Sequence, residues 1–548
     1  MIRNLFRFTI YTLLPLIGGG WVGVSCSDWT DHYEPAVESN GSATLWEQLQ
    51  ANSQLSDFCE VLNQTRVFRM HHKTEVSYAQ LLDGGQAFTV IAPVNGTFNK
   101  DSLLRLVQTA QGDSMVEKSF VFNHLSRMTI SMKPMAQTLH LLNGKNVTIT
   151  ESDIHGVPVI AANQRAQNGV IHVASRAVPY ASNLYEALCD DPEVSMIGAN
   201  LRQYEWDEFD PDASVSSGIV DGVPVYVDSV VHERNHILGS IGLINAEDST
   251  YWVLAPNNQV WQKVWEETSQ YFVYDKSYVK ADSLQKYWTN RALLEDAIFN
   301  MTDQKSVDDS LVSVPYLSWR RNYVPGKPVY HVFKDPFAAE GILYGARQKE
   351  CSNGVLYKTD KWPFAPEQTF FKQLWTEAET TWLITDGKEC VYSRIGHVAD
   401  SVSQNSYLQI IPTSRVNWEL TFRLDDVLSG CYDICAIILP QTVLNPDATK
   451  LRPCQFTATV NYVDADGTAM TFNCNDTKFQ SDAQKVDTVV VAEAFQFPAT
   501  NYGQSTNKIS LTLKCSVSTK ENSKFLREML LDCIYLRPRY NNVTNNNQ

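Results

Sequence analysis

FTVIAPVNGTFN, residues Phe88–Asn99, and YWVLAPNNQVWQ, residues Tyr251–Gln262, follow one pattern. Each is a four-residue apolar run, then Ala-Pro, a polar turn rich in Asn, and an aromatic that opens a helical stretch. Proline ends a strand ladder and Asn tolerates turn geometry, so both read as strand, turn, helix. Upstream of each lies a short amphipathic helix: Leu45-Trp46-Glu47-Gln48-Leu49 before the first and Leu184-Tyr185-Glu186-Ala187-Leu188 before the second, with apolar residues at i, i+1 and i+4. Downstream of each lies an Asn-Gly turn leading into a strand: QNGVIHVASRAVP (Gln167–Pro179) and SNGVLYKTDKWP (Ser352–Pro363). Three landmarks recurring in one order mark an internal repeat.

This ordered triplet resembles the fasciclin-like domain, an extracellular adhesion module. Two tandem copies are expected, at residues 43–181 and 182–365. The Phe122-Asn123-His124 segment stands where that family often carries a Tyr-His pair implicated in adhesion. Here Asn123 replaces the Tyr, and Phe299-Asn300-Met301 of the second copy lacks the His. A buried core histidine is the alternative reading of His124. The second copy is longer, by about 24 residues between the first two landmarks and about 22 between the last two. Insertions favour loops, and loops carry function. One insertion holds the acidic run Glu205–Asp212. The other holds Trp319, Arg320, Arg321 and Tyr323, an aromatic and cationic group suited to a sugar or an acidic partner, or to packing on its own domain.

After Pro366 short alternating runs separated by Asp-Gly and Ser-Gly turns predict an antiparallel sandwich over residues 366–548. Its opening Glu377-Ala378-Glu379 and closing LLDCIYLRP (Leu530–Pro538) resemble the galactose-binding-like jelly rolls, many of which bind carbohydrate. That resemblance implies ligand contacts at the loops of one end, with Trp382, Tyr407, Tyr432 and Tyr502 as candidates. The expected fold class is therefore multidomain: two α+β fasciclin-like domains, then an all-β jelly-roll sandwich.

The N-terminus reads as an address. Arg3 and Arg7 precede the apolar run Phe8–Ile17, then glycines, then Gly23-Val24-Ser25-Cys26. This resembles a bacterial lipoprotein signal over residues 1–25 with lipid on Cys26, followed by a tether over 26–42, as in surface lipoproteins of Bacteroides-like bacteria. An uncleaved anchor is the alternative, since Phe8–Ser25 nearly reaches spanning length. The chain has 11 Cys, so ten remain after Cys26, an even number compatible with disulfides in an exported protein. With 45 Lys plus Arg against 61 Asp plus Glu, the net charge is −16, which excludes a nucleic-acid partner.

His232-Glu233-Arg234-Asn235-His236 matches the HExxH pattern, in which a helix offers two imidazoles to zinc and the Glu as base. Its interior is polar, the preceding Val223–Val231 reads as a strand, and Gly242 stands where a third His is needed. The site residues His232, Glu233 and His236 are therefore rejected as a metal centre. Cys431 and Cys435 lack a matching second pair for zinc. No nucleophile elbow, phosphate loop or dinucleotide fingerprint occurs. The expected protein is no enzyme and takes no cofactor. It is a lipid-anchored adhesion or binding protein of the outer membrane or cell surface, capturing an extracellular glycan beside an uptake system. The alternatives are a structural or protein-interaction module that binds a surface protein and, more remotely, a zinc hydrolase.

Overall fold

The computed structural model describes residues 42–69, 72–220, 223–300, 310–313, 331–396, 402–413, 417–474, 478–506 and 508–540, with side chains undescribed at 212–232 and 300. Cys26 and Trp319, Arg320, Arg321 and Tyr323 lie outside the described residues. No described helix is long and apolar enough to cross a membrane. The chain divides into two compact units, Met1–Tyr180 and Ala181–Gln548.

The first unit is built around a seven-stranded sheet, in the order Leu125–Ser126, Phe88–Pro93, Gly169–Ala174, Val157–Ala166, Asp153–Ile154, Asn146–Ile149, Gln137–His140. Phe88–Pro93 is buried at every position, as a continuous apolar run demands of a strand covered on both faces. It runs parallel to Gly169–Ala174, with Phe88 beside Gly169. The helix Leu45–Ala51 starts on a capping box in which Thr44 and Glu47 exchange side-chain and backbone hydrogen bonds.

The second unit begins with the same construction. Helix Leu184–Asp190 carries a capping box between Asn183 and Glu186. Tyr251–Pro256 runs parallel to Gly354–Thr359, with Tyr251 beside Gly354, inside a four-stranded sheet. One Asn-Gly pair fastens each copy. The Asn168 side-chain oxygen accepts from Leu45 N–H (2.7 Å) while its amide donates to the carbonyls of Leu82 (2.8 Å) and Gly84 (2.7 Å). Asn353 repeats this on Leu184, Ile244 and Ala246, at 2.8 Å each. The glycines that follow have φ of +151° and +146°. A Cβ there would stand 1.9 Å from the Phe88 carbonyl oxygen or 1.8 Å from that of Tyr251, so no other residue fits.

The turn after each Ala-Pro is equally matched. The Asn95 side chain accepts from Asp57 N–H (2.9 Å) and donates to the Ser53 carbonyl (2.9 Å). Asn258 does the same with Met196 N–H (2.9 Å) and the Pro192 carbonyl (2.7 Å). The first insertion is a two-stranded ribbon, Glu205–Val220 against Val223–Asn235. The HExxH residues fall on it: His232 pairs with Glu208 and Glu233 with Asp207 in extended backbone. The i, i+4 helical face that zinc requires does not form there. His236 instead stacks on Trp206, ring centres 5.3 Å apart.

The C-terminal third forms two antiparallel six-stranded sheets that enclose one core. The first runs Val391–Ile395, Ser406–Ile410, Met529–Pro538, Cys431–Leu439, Asp487–Gln496, with Leu374–Glu377 also paired to Met529–Pro538. The second runs Ile384–Asp386, Glu419–Arg423, Ser510–Cys515, Gln455–Val463, Ala469–Asn473, with Phe479–Gln480 also on Gln455–Val463. Ile434, Ile534 and Leu408 of one sheet meet Phe422, Phe456 and Leu511 of the other. That core does not stop at residue 366. Phe272, Tyr274, Trp288 and Ala292 of the preceding repeat belong to it, so 182–365 and 366–548 pack as one body.

Among the described residues no cysteines pair as a disulfide, although an even count is compatible with pairing. Cys435 lies across from Tyr535, and Cys533 across from Ile437, so even these neighbours are offset by two positions. Cys454, Cys515, Cys435 and Cys533 are buried as small apolar fillers. Burial pushes the Cys454 thiol up to about 11, which keeps it protonated and unreactive.

Candidate functional site

The outer face of the second sheet carries a grid of hydroxyl and amide side chains. In an antiparallel sheet, residues directly across from one another share a face. Thr421, Thr512, Thr459 and Asn473 stand across from one another on four successive strands. Arg423, Ser510, Asn461 and Thr471 form the next row. Strand spacing makes each row about 14 Å wide. The grid is knitted together: Thr421 and Thr512 hydroxyls are 2.9 Å apart, and Asn461 donates to Ser510 (3.1 Å) and Thr512 (3.2 Å). Most of these side chains are half-buried, held by neighbours yet open above.

Trp382 stands at one corner, in the turn Thr381–Leu383, with 63% of its surface exposed. The Arg423 guanidinium lies 5.1 Å from its ring centre and is itself held by Asp425 at 2.8 Å. An exposed indole braced by a fixed cation beside a polar grid can stack on one face of a ring while hydroxyls meet the grid.

The other aromatic candidates belong to the interior, which corrects the reading of them as ligand contacts. Tyr432 is wholly buried against Phe371 (5.1 Å) and Phe497 (5.9 Å). Tyr407 packs with Val402, Leu439 and Leu530. Tyr502 stands edge-on to Trp288 at 4.8 Å and against Phe272 at 5.8 Å, and its carbonyl accepts from the Tyr274 hydroxyl at 2.8 Å. It bolts the second repeat to the sandwich.

His124 is a core residue. Its Nδ1–H donates to the Phe120 carbonyl (2.7 Å) and its Nε2 accepts from Val178 N–H (3.0 Å). Asn123 donates to the Val178 carbonyl at 2.9 Å, so the two side chains together clamp one residue's backbone. Burial brings the His124 imidazole down to about 4, hence neutral at physiological pH. In this position it faces protein, not a partner.

Glu377, Glu379 and Asp532 gather where the sandwich opens and closes. Burial, with added repulsion from Glu377, pushes Glu379 up to about 7 and Asp532 up to about 6. Asp532 accepts from Ser403 N–H at 3.0 Å, and Glu377 from the Ser403 hydroxyl at 3.0 Å. Among the described residues no group of three or more His, Cys, Asp or Glu is arranged to hold a metal ion.

The polar grid escaped sequence reasoning. The alternation of LTLK or FTATVN predicts strands with polar outer faces, but nothing in one strand shows which residues of three others lie across from it.

The Fasciclin domain family model matches residues 55–178. No curated protein matches the chain. Among solved structures, a FAS1 domain pair from the insect cell adhesion molecule Fasciclin I is similar over 52% of this chain and 90% of its own, at 13% identity and a TM-score of 0.19. The CBM22-1 xylan-binding domain from Paenibacillus barcinonensis Xyn10C is similar over 30% and 85%, at 15% identity and a TM-score of 0.19.

Proposed function

We propose that this chain is a lipid-anchored binding protein of the cell envelope that captures an extracellular glycan across the outer face of its second C-terminal sheet. The observation that carries the reading is the grid of Thr, Ser and Asn side chains with Trp382 and Arg423 at its corner. A glycan presents hydroxyls at a regular spacing and an apolar ring face, which match a hydroxyl and amide grid and an exposed indole. The Fasciclin match at residues 55–178 supports an adhesion-type role for the first unit. The repeated Asn-Gly fastening supports treating residues 182–365 as a second fasciclin-like copy. The signal-like N-terminus ending at Cys26 supports attachment by lipid at the outer membrane, beside a glycan-uptake system.

A glycan array probed with the full chain tests the reading. Binding to a family of related glycans, lost in Trp382→Ala and weakened in Asn461→Leu, is the expected result. Silence on the array, or binding indifferent to both substitutions, overturns it. In that case the alternative, a structural or protein-interaction module, stands. Metabolic labelling with a palmitate analogue tests the anchor: label absent, or retained in Cys26→Ala, removes it.

A further inference from the structure

A cavity lies far in sequence from the grid, among three helices of the second repeat. Met196 and Asn200 of Ser195–Arg202, with Gln203 just beyond it, form one wall. Trp261, Gln262, Trp265 and Glu266 of Asn258–Ser269 form the floor, and Lys286 and Asn290 of Ala281–Leu294 form the other wall. Each helix presents residues four apart, the spacing that aligns side chains on one face. The cleft encloses about 330 Å³, at the small end of the roughly 300–1,000 Å³ of small-molecule sites.

Its lining has two characters. The floor is indole: Trp261 is 1% exposed, fixed edge-to-face against Trp362, and Trp265 is half-buried. The rim is amide and charge. Trp265 donates its N–H to Asn290 (2.8 Å), and Asn290 donates onward to the Tyr204 hydroxyl (3.0 Å), so the platform is braced from behind. The Trp261 N–H is buried with no hydrogen-bond acceptor. Leaving such a donor unmet costs free energy.

We infer that this cleft is a second ligand site, for a neutral mono- or disaccharide. The one carboxylate, Glu266, and the one ammonium, Lys286, leave the lining with no net charge, so it selects neither an anion nor a cation. A lipid chain would desolvate the amides of Asn200, Gln203 and Gln262 without return. A sugar ring satisfies both characters, its apolar face on Trp265 and its hydroxyls on the rim. The inference shares its ligand chemistry with the sheet-face reading but rests on different residues.

The test titrates the full chain with glucose, galactose, mannose, cellobiose and lactose, following tryptophan fluorescence and calorimetry. At least one sugar binds the wild type. Trp265→Ala weakens that binding by about tenfold or more, a loss of about 1.4 kcal/mol. Asn200→Trp, which fills the cleft from a half-buried helix position, does the same if Trp265→Ala fails to fold. No binding by any of the five sugars, or binding indifferent to both cleft substitutions, overturns the inference. Glycan binding on the array lost only in Trp382→Ala, with no small-sugar binding, overturns the cleft and keeps the sheet face. Small-sugar binding with a silent array does the reverse.

Discussion

At the scale of single residues, the Val178 peptide shows how much can depend on two side chains. His124 accepts its N–H and Asn123 donates to its carbonyl, both out of reach of water. His124→Ala orphans a buried donor, and a loss of about 1–3 kcal/mol in the first unit's stability is expected by urea denaturation. The pH dependence has a definite sign. The imidazole holds at about 4 when folded and near its ordinary 6.5 when unfolded. Below 6.5 the unfolded chain binds a proton that the native state refuses, so stability falls as pH drops from 6.5 towards 4, by up to about 3 kcal/mol. His124→Gln is expected to flatten that slope in the same denaturation series. The sequence offered both readings of His124, core and adhesive. A residue type cannot reveal its burial, and the same limit explains Tyr407, Tyr432 and Tyr502: their chemistry suits a sugar, but their neighbours are other rings.

At the scale of elements, the repeated strand-turn-helix was legible because it is written in backbone requirements. An all-apolar run needs cover on both faces, Ala-Pro ends it, and Asn-Gly supplies a conformation that other residues resist. The text did not show that Asn168 and Asn353 are three-bond fasteners, since a turn-forming Asn and a bracing Asn look alike. Asn168→Ala and Asn353→Ala should each cost several kcal/mol, because each strips one buried backbone N–H and two carbonyls of their partners. Thermal melts monitored separately for the two units check this: each substitution lowers the melting temperature of its own unit. Gly169→Ala or Gly354→Ala should prevent folding of its unit outright, read as loss of soluble protein. The HExxH string illustrates the opposite failure, where a motif is spelled correctly on the wrong element. In a ribbon whose strands pair from Glu205 to Asn235, the helical spacing has no meaning.

At the scale of the whole molecule, the second unit behaves as one body because Tyr502 and its neighbours Trp288 and Phe272 weld a helical layer to a sandwich. Nothing in the text around Pro366 announced this, since the composition shifts there as it does at a domain border. A single cooperative unfolding transition is expected for the second unit by calorimetry. Tyr502→Ala removes a large buried ring, at a cost of about 3–5 kcal/mol, and should split that transition in two. Charge sets the two units apart. In the first, His124 removes stability on acidification. In the second, Glu379 and Asp532 keep their protons to about 7 and about 6 when folded. Their contribution is present at low pH and lost as pH rises through those values. Between pH 8 and pH 5 the His124 contribution therefore falls while the Glu379 and Asp532 contribution rises, read as a steeper loss of first-unit stability in wild type than in His124→Gln.

The Tyr502 junction also has a mechanical meaning. On the proposed reading, with a glycan held on the sandwich and the N-terminus attached to a membrane, the chain would be a link under tension. Load applied at Trp382 and resisted at Ala181 passes through the Trp288–Tyr502 edge-to-face pair, where rings interlock across the boundary and Gly503 allows Trp288 to press within 2.4 Å of where a Cβ would stand. Such a junction shares force between a sheet and a helical layer, so under a pulling force the sandwich and the helical layer are expected to give way together.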